Sequence, residues 1–365
     1  MILQHNPVTL NLKRAVKFSF QKNVACSQMT LPIVGALSVL LWYVLPDRSS
    51  HGAFTGSEYG IWQFMPDIIV YSRWTREISL AVCALSVYLM AELNNANMLL
   101  RVSSRMLSSM LAILLAISLH CHHMHPGLML MALSLLSFFP LFASYRQPYP
   151  QQVFLAFVCI SIASLFFPLM IWTGVAYWIL TGVMRAFTPR CFVASILAML
   201  LPYWVAAGAA VYFDHMPLFL QHLRQMATLH IGSYADITPG AAAIAMLTAL
   251  LFISGSVDFY VNRLLDRTRT RTTLNAVFIH GCTFIIIMAL QPQHITMLQP
   301  VLLLDTAILF GHFFTLTHTR FSHIYMLLML ALAIITVLLQ SGTMCQDAYS
   351  SASAFMTGIT HSWFN

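Results

Sequence analysis

From Met29 to Leu339 the sequence is a succession of apolar runs separated by short polar breaks, and this pattern constrains the fold more than any other feature. A bilayer core is about 30 Å thick and asks for about 20 apolar residues per helix. Backbone groups in hydrocarbon must be satisfied within the segment, which selects helices here. The runs fall near 29–45, 78–93, 106–119, 128–143, 192–212, 241–256, 274–290, 297–314 and 324–339. The stretch 153–184 reads as two short runs folded back at Phe166-Phe167-Pro168, with one long helix carrying a re-entrant piece as the alternative. The pattern predicts an all-α polytopic transmembrane helix bundle of about eleven spans, forming a single transmembrane domain over residues 1–365.

Composition and charge support this reading independently. Only 8% of the residues are charged and 59% are hydrophobic, whereas a soluble domain carries about 25% charged residues. The mean hydropathy is +0.77. With the N-terminus inside and strict alternation, the cytoplasmic segments hold Lys13, Arg14, Lys17, Lys22, Arg101, Arg105, Arg146, Arg185, Arg190, Arg263, Arg267, Arg269, Arg271 and Arg320, fourteen of the eighteen basic residues. Arg48, Arg73, Arg76 and Arg224 alone fall outside. That asymmetry predicts an N-terminus in, C-terminus out protein of the inner (plasma) membrane. It also favours the hairpin at 153–184, because a single span there would invert every later loop. The net charge of +7 is spread between spans rather than along one stripe, so nucleic acid is excluded as a partner and membrane lipids are expected. The basic loop 257–273, with Arg263–Arg271 and Asp266, suits anionic lipid at about 1 kcal/mol per basic residue. Lys13, Arg14, Lys17 and Lys22 precede the first run without an A-x-A-like site, so no cleavable signal peptide is expected.

Two outer connections are longer than turns. In 46–76, Trp62, Met65 and Ile69 recur at helical spacing, which predicts an interfacial helix broken or kinked at Pro66. In 213–239, Asp214 suits an N-cap region and Pro217 a first helical turn. Met216, Leu220, Leu223 and Ala227 then form one side, and Gln221, His222, Arg224, Gln225 and Thr228 the other, a second amphipathic helix. Acidic residues gather on the same face: Asp47, Glu58, Asp67, Glu77, Asp214, Asp236 and Asp347, seven of eleven. Either acids avoid the basic cytoplasmic flank, or acids and Arg converge in an outer cleft.

A long first outer loop with interfacial helices, an acid directly after span one, and a helical outer loop after span seven together resemble the polyprenyl-phosphate-dependent glycosyltransferases of the GT-C superfamily. Asp47 matches by position the acid such enzymes place at the start of that loop. The resemblance implies Asp47 as general base or donor contact, with Glu58 and Asp67 as substitutes, and allows a divalent metal ion as cofactor. It implies a polyprenyl-phosphate-linked sugar as substrate, its phosphate bound by Arg48, Arg73, Arg76 or Arg224 with His222 beside them. The loop is shorter than is usual there, and the sequence has no D-x-D pair. The chain also resembles a family of bacterial multi-span inner-membrane proteins, a likeness that brings no mechanism with it.

Other constellations point elsewhere. Asp305 lies inside the tenth span, and an intramembrane carboxylate is costly enough to mark a functional candidate. His312 is two turns on along the same helix face, and His280 in the ninth span is within reach of the same layer. These three could relay protons in a transporter or flippase, or simply hydrogen-bond helix to helix. His120-Cys121-His122-His123-Met124-His125 offers metal-ligand types in one outer turn, but so tight a turn does not aim them at one point, and no metal site is expected there. Cys121 and Cys345 both fall on the outer side, where a disulfide is conceivable. Glu92, Asn94, Asn95 and Asn97 close the second span. No nucleotide loop, haem motif or triad signature occurs. Three functions follow in order: a glycosyltransferase-like enzyme, a proton-coupled transporter or flippase, and a non-catalytic partner in envelope assembly. Depth separates the first two, because an enzyme of this kind needs an outer cavity and a transporter a polar site near the midplane.

Overall fold

The computed structural model describes residues 27, 29–45, 74–100, 104–227, 234, 237–316, 325 and 328–342. Among these, twelve α-helices form the fold and no strand occurs. They are α1 Thr30–Val44, α2 Thr75–Asn97, α3 Met106–Ile117, α4 Pro126–Ala143, α5 Pro150–Phe166, α6 Thr173–Val183, α7 Pro189–Tyr212, α8 Met216–Ala227, α9 Pro239–Asn262, α10 Thr268–Leu290, α11 Ile295–Leu316 and α12 Leu328–Gly342. Six of them, α2, α4, α7, α9, α10 and α11, are long and apolar enough to cross a membrane, and α1, α3, α5, α6 and α12 are shorter apolar helices. Large apolar side chains stand exposed on the outside of the bundle, among them Trp204 at 75%, Val261 at 74% and Val205 at 67%. An exterior of this kind is unfavourable in water and suited to lipid.

Local chemistry sets the helix starts. Proline occupies the first position of α4, α5, α7 and α9, where its missing N–H costs nothing. The hydroxyls of Thr188 and Thr238 accept from the Cys191 and Ala241 amides, both at 3.3 Å, capping α7 and α9. The stretch 153–184 is two helices. Phe167 turns extended after α5, a 3-10 turn Pro168–Trp172 reverses the chain, and the Arg146 amide donates to the Met184 carbonyl at 2.9 Å to close the far end of the hairpin.

The helix ends sort into two sets. At one end Arg76 donates to the carbonyls of Trp42 and Leu45, Ser79 donates to the Cys121 carbonyl, Gln340 bridges Ile117 and Leu119, and Tyr234 donates to the Ala289 carbonyl. At the other end Asn94 donates to Ser104, Arg269 to the Asn97 side chain and Thr270 to the Met98 carbonyl. Met98 (φ 49°) ends α2 in the left-handed conformation. The first set is called here the His-turn end and the second the Arg269 end.

The centre of the bundle is α11. It packs against α3, α4, α9 and α10, and eighteen of its residues are buried. Small residues let these neighbours close in. A Cβ on Gly255 of α9 would stand 2.7 Å from the backbone of Leu309 and Phe310, so these two helices meet nearly backbone to backbone.

Candidate functional site

Two places in the bundle carry candidate chemistry. The first is the set of buried polar side chains on α11. The helix's outward neighbours are apolar, yet Gln299, Asp305, Thr306, His312 and Thr315 are all buried in it. Asp305 Oδ2 lies 2.8 Å from His280 Nδ1 of α10, and neither side chain has any exposed surface. The carboxylate's other oxygen and the far ring nitrogen of His280 have no hydrogen-bond partner. Three aromatic rings enclose the imidazole: Phe138 at 4.9 Å, Phe284 at 4.8 Å and Tyr177 at 5.7 Å between centroids. These rings exclude water from the imidazole and leave Asp305 as its polar neighbour. The Tyr177 hydroxyl is held elsewhere. Ser137 donates to the Ser134 carbonyl at 2.6 Å, which leaves Ser137 to accept from Tyr177 at 2.5 Å.

Two turns further along α11, toward the Arg269 end, His312 Nε2 lies 3.4 Å from Asp266 Oδ2. In the opposite direction lies Gln299, 1% exposed, whose amide oxygen and nitrogen are both without partners, as is the Thr306 hydroxyl. The contrast with Gln340 is instructive. That buried amide accepts from the Leu119 N–H at 3.1 Å and donates to the Ile117 carbonyl at 3.3 Å. An unsatisfied buried polar group costs about 1–3 kcal/mol, so these side chains concentrate an unusual penalty in one helix.

The second place is a groove of about 610 Å³ beside α8, walled by Ile171, Trp178, Tyr203, Trp204, Phe219 and Leu223 among others. Its surface is almost wholly apolar. The Trp172 indole donates to the Met226 carbonyl at 3.1 Å and pins the end of α8. Tyr203 donates to Ser164, whose own hydroxyl is spent on the Ser161 carbonyl. His222 is 5% exposed and stacks on Tyr203 at 6.1 Å. Burial lowers its pKa to about 4, with the Ser164 backbone opposing. His222 is therefore the neutral imidazole at ordinary pH.

The placement of the sequence-predicted residues is mixed. Asp47, Arg48, Glu58, Asp67 and Arg73 lie outside the described residues. Arg76 belongs to the first turn of α2 rather than to a loop, and its guanidinium is committed to the carbonyls ending α1, over the Tyr43 ring at 5.5 Å. Arg224 is exposed on α8. His222 faces the bundle and not the polar side: α8 docks through Phe219, His222 and Met226, while Met216, Leu220 and Leu223 remain exposed. A single helix with two apolar faces shows only one of them in a simple wheel. His280 and Asp305 meet, but His312 pairs with Asp266 at the far end of the helix and not with Asp305, because seven residues along a helix are about 10 Å apart. Cys121 has a free, fully buried thiol whose pKa burial pushes up to about 12, and Cys345 lies outside the described residues. The His-rich turn is used structurally: His122 lies 3.0 Å from the Ala116 carbonyl and stacks on Trp42 at 4.1 Å, and His125 lies 3.0 Å from the His123 carbonyl. No group of three or more metal-ligand side chains occurs among the described residues.

Sequence reasoning passed over Gln299, Thr306, Tyr177 and Tyr203. Gln299 and Thr306 carried a usable signal, since they are seven apart and so share a face of the helix, about a third of a turn from the one that holds Asp305. No protein-family model matches the sequence, and no curated protein is significantly similar to it.

Proposed function

We propose that the chain is an integral inner-membrane protein of eleven crossing segments, N-terminus in and C-terminus out, that handles a lipid-linked sugar at the outer face in the manner of a GT-C glycosyltransferase. The observation that carries the reading is the apolar groove beside α8. Its walls come from α6, α7, α8 and the turn before α6. The charge asymmetry puts that end of α7 outside, where an isoprenoid chain can lie in the groove and its phosphate can reach the exposed Arg224. Lipid tails are as apolar as leucine, so such a groove selects by shape and the headgroup contact supplies the affinity. In this reading Asp47 takes the proton from the acceptor hydroxyl.

The test has two parts. A photoreactive polyprenyl-phosphate analogue should label α7 and α8 in membranes, and Ala207→Trp, which fills the groove, should abolish the labelling. Asp47→Asn at normal protein level should then deplete a cell-envelope glycan and accumulate its lipid-linked precursor. Unchanged glycans in Asp47→Asn remove the enzymatic part, and equal labelling of Ala207→Trp removes the groove.

A further inference from the structure

We propose that the buried Asp305–His280 pair is a proton-binding site in the membrane core, with His312 and Asp266 as a second station on the same side of α11. This is independent of the lipid-handling groove, which lies on other helices.

The argument starts from the pair itself. One hydrogen bond of 2.8 Å joins Nδ1 to Oδ2, so one proton is shared between two bases. The remaining atoms, the Asp305 Oδ1 acceptor and the His280 Nε2–H donor, are fully buried and unpartnered. A pair built only to join helices would be expected to use its second oxygen, as Gln340 uses both ends of its amide. Here the second atoms stay open on both sides of the shared bond, and Oδ1 is free to take a proton. The carboxylate left behind, 2.8 Å away, stabilises the imidazolium that forms when the proton moves from Oδ2 to Nδ1. In that step the O–H bond breaks, the N–H bond forms, and no net charge is created. Nε2 carries the ring's other hydrogen throughout, so a further proton from hydronium in the aqueous phase arrives at Oδ1, forms its O–H bond there and gives the pair one positive charge. Its departure restores the starting state.

The surroundings supply a second station and little competing charge. Toward the Arg269 end, His312 beside Asp266 repeats the imidazole–carboxylate combination about 10 Å away along the helix. The other unpartnered polar side chains of α11, Gln299 and Thr306, lie about a third of a turn round the helix from Asp305 and are not stations of this site. The titratable groups around Asp305 are His280 and Cys282 from α10 and, behind His280, Tyr177 from α6. From α9 come Asp258, bonded to Asn262 near the Arg269 end, and Tyr260, bonded to Asn275. Within their helical spans α3 and α4 bring serines and no titratable side chain. Water or hydronium is the only carrier this chemistry needs, since each station is an imidazole beside a carboxyl group.

Infrared difference spectroscopy of the whole chain in lipid nanodiscs, stepped across about pH 5 to 8, tests this directly. The wild type should show a carboxylic-acid carbonyl band that grows as pH falls and shifts on transfer to deuterated buffer. The band should vanish in Asp305→Asn, move in position in His280→Gln, and persist in Asp305→Glu. A pH-independent wild-type spectrum, or a carboxyl that does not exchange with deuterated buffer, overturns the proposal whether or not any variant folds. A titrating band that survives Asp305→Asn in a folded variant overturns it as well.

Discussion

Gly255→Ala places one methyl group where α9 and α11 come closest, and its effect follows from the geometry. The new Cβ would sit 2.7 Å from Leu309 C and Phe310 N, and ordinary contact begins near 3.4 Å. The obstructing atoms are backbone, so no side chain can swing aside, and the helices must part by about 0.7 Å. A radial gap of about 0.5–1 Å forfeits a quarter to a half of each dispersion contact, and overpacking of a close interface costs about 1–3 kcal/mol. The control is Gly208→Ala on α7, where nothing lies within 4 Å of the added methyl. There the lost glycine freedom should stabilise the helix by about 0.5–1 kcal/mol. The two alanine substitutions should therefore have opposite signs in a denaturing-detergent titration of the protein in mixed micelles, followed by tryptophan fluorescence. A Gly255→Ala protein as stable as the wild type would refute the backbone-to-backbone packing of α9 on α11.

Four further outcomes are expected. The folded-state pKa of His222 is held at about 4, below the unfolded value, so docking of α8 is fully favourable at neutral pH and is lost as pH falls from about 6.5 toward 4, by at most about 1.4 kcal/mol per pH unit; amide exchange of residues 216–227 should rise over that window in the wild type and not in His222→Phe. Replacing Arg76 by Gln removes a charged donor from the carbonyls of Trp42 and Leu45 and should cost about 1.5–3 kcal/mol, read by the same titration, with Arg76→Lys intermediate. The buried Cys121 thiol, pushed up to about 12, should resist maleimide in the folded protein and react once it is denatured. Labelling by the polyprenyl-phosphate analogue should fall in Arg224→Ala and be kept in Arg224→Lys if the guanidinium acts as a point charge, whereas loss in both marks fork-shaped recognition.

The bundle was legible in the sequence because one physical requirement, apolar length, is written directly in the order of residues. The division of 153–184 into two helices was legible for a second reason: the charge pattern on either side of it favoured two short runs over one long one. The site was legible only where a residue was anomalous by itself. Asp305 stood out because a carboxylate is rare in such a run, and His280 because it lies in the adjacent one. His222 was placed on the wrong face, since a helical wheel shows one hydrophobic direction and α8 uses two. The pairing of His312 with Asp266 was out of reach, because it depends on how the loop after α9 folds back under α11, and nothing in local spacing encodes that contact. Arg76 read as a phosphate ligand from its side of the membrane alone. Its actual partners are carbonyls exposed where α1 ends, a demand that appears only when the helix termini are known.

The encirclement of α11 has a consequence for biogenesis. Two of its wall helices, α3 and α4, are synthesised early, and the other two, α9 and α10, immediately precede it. Until residue 295 emerges, the faces of these four helices that pack on α11 have no partner there, and they include buried His280 and Gly281. A ribosome-bound chain halted before that point would present these faces to lipid or to the insertion machinery, and the arrival of α11 would act as the keystone. Stalled or truncated products lacking it should therefore be recognised by membrane proteases as incomplete, while products lacking only α12 should escape.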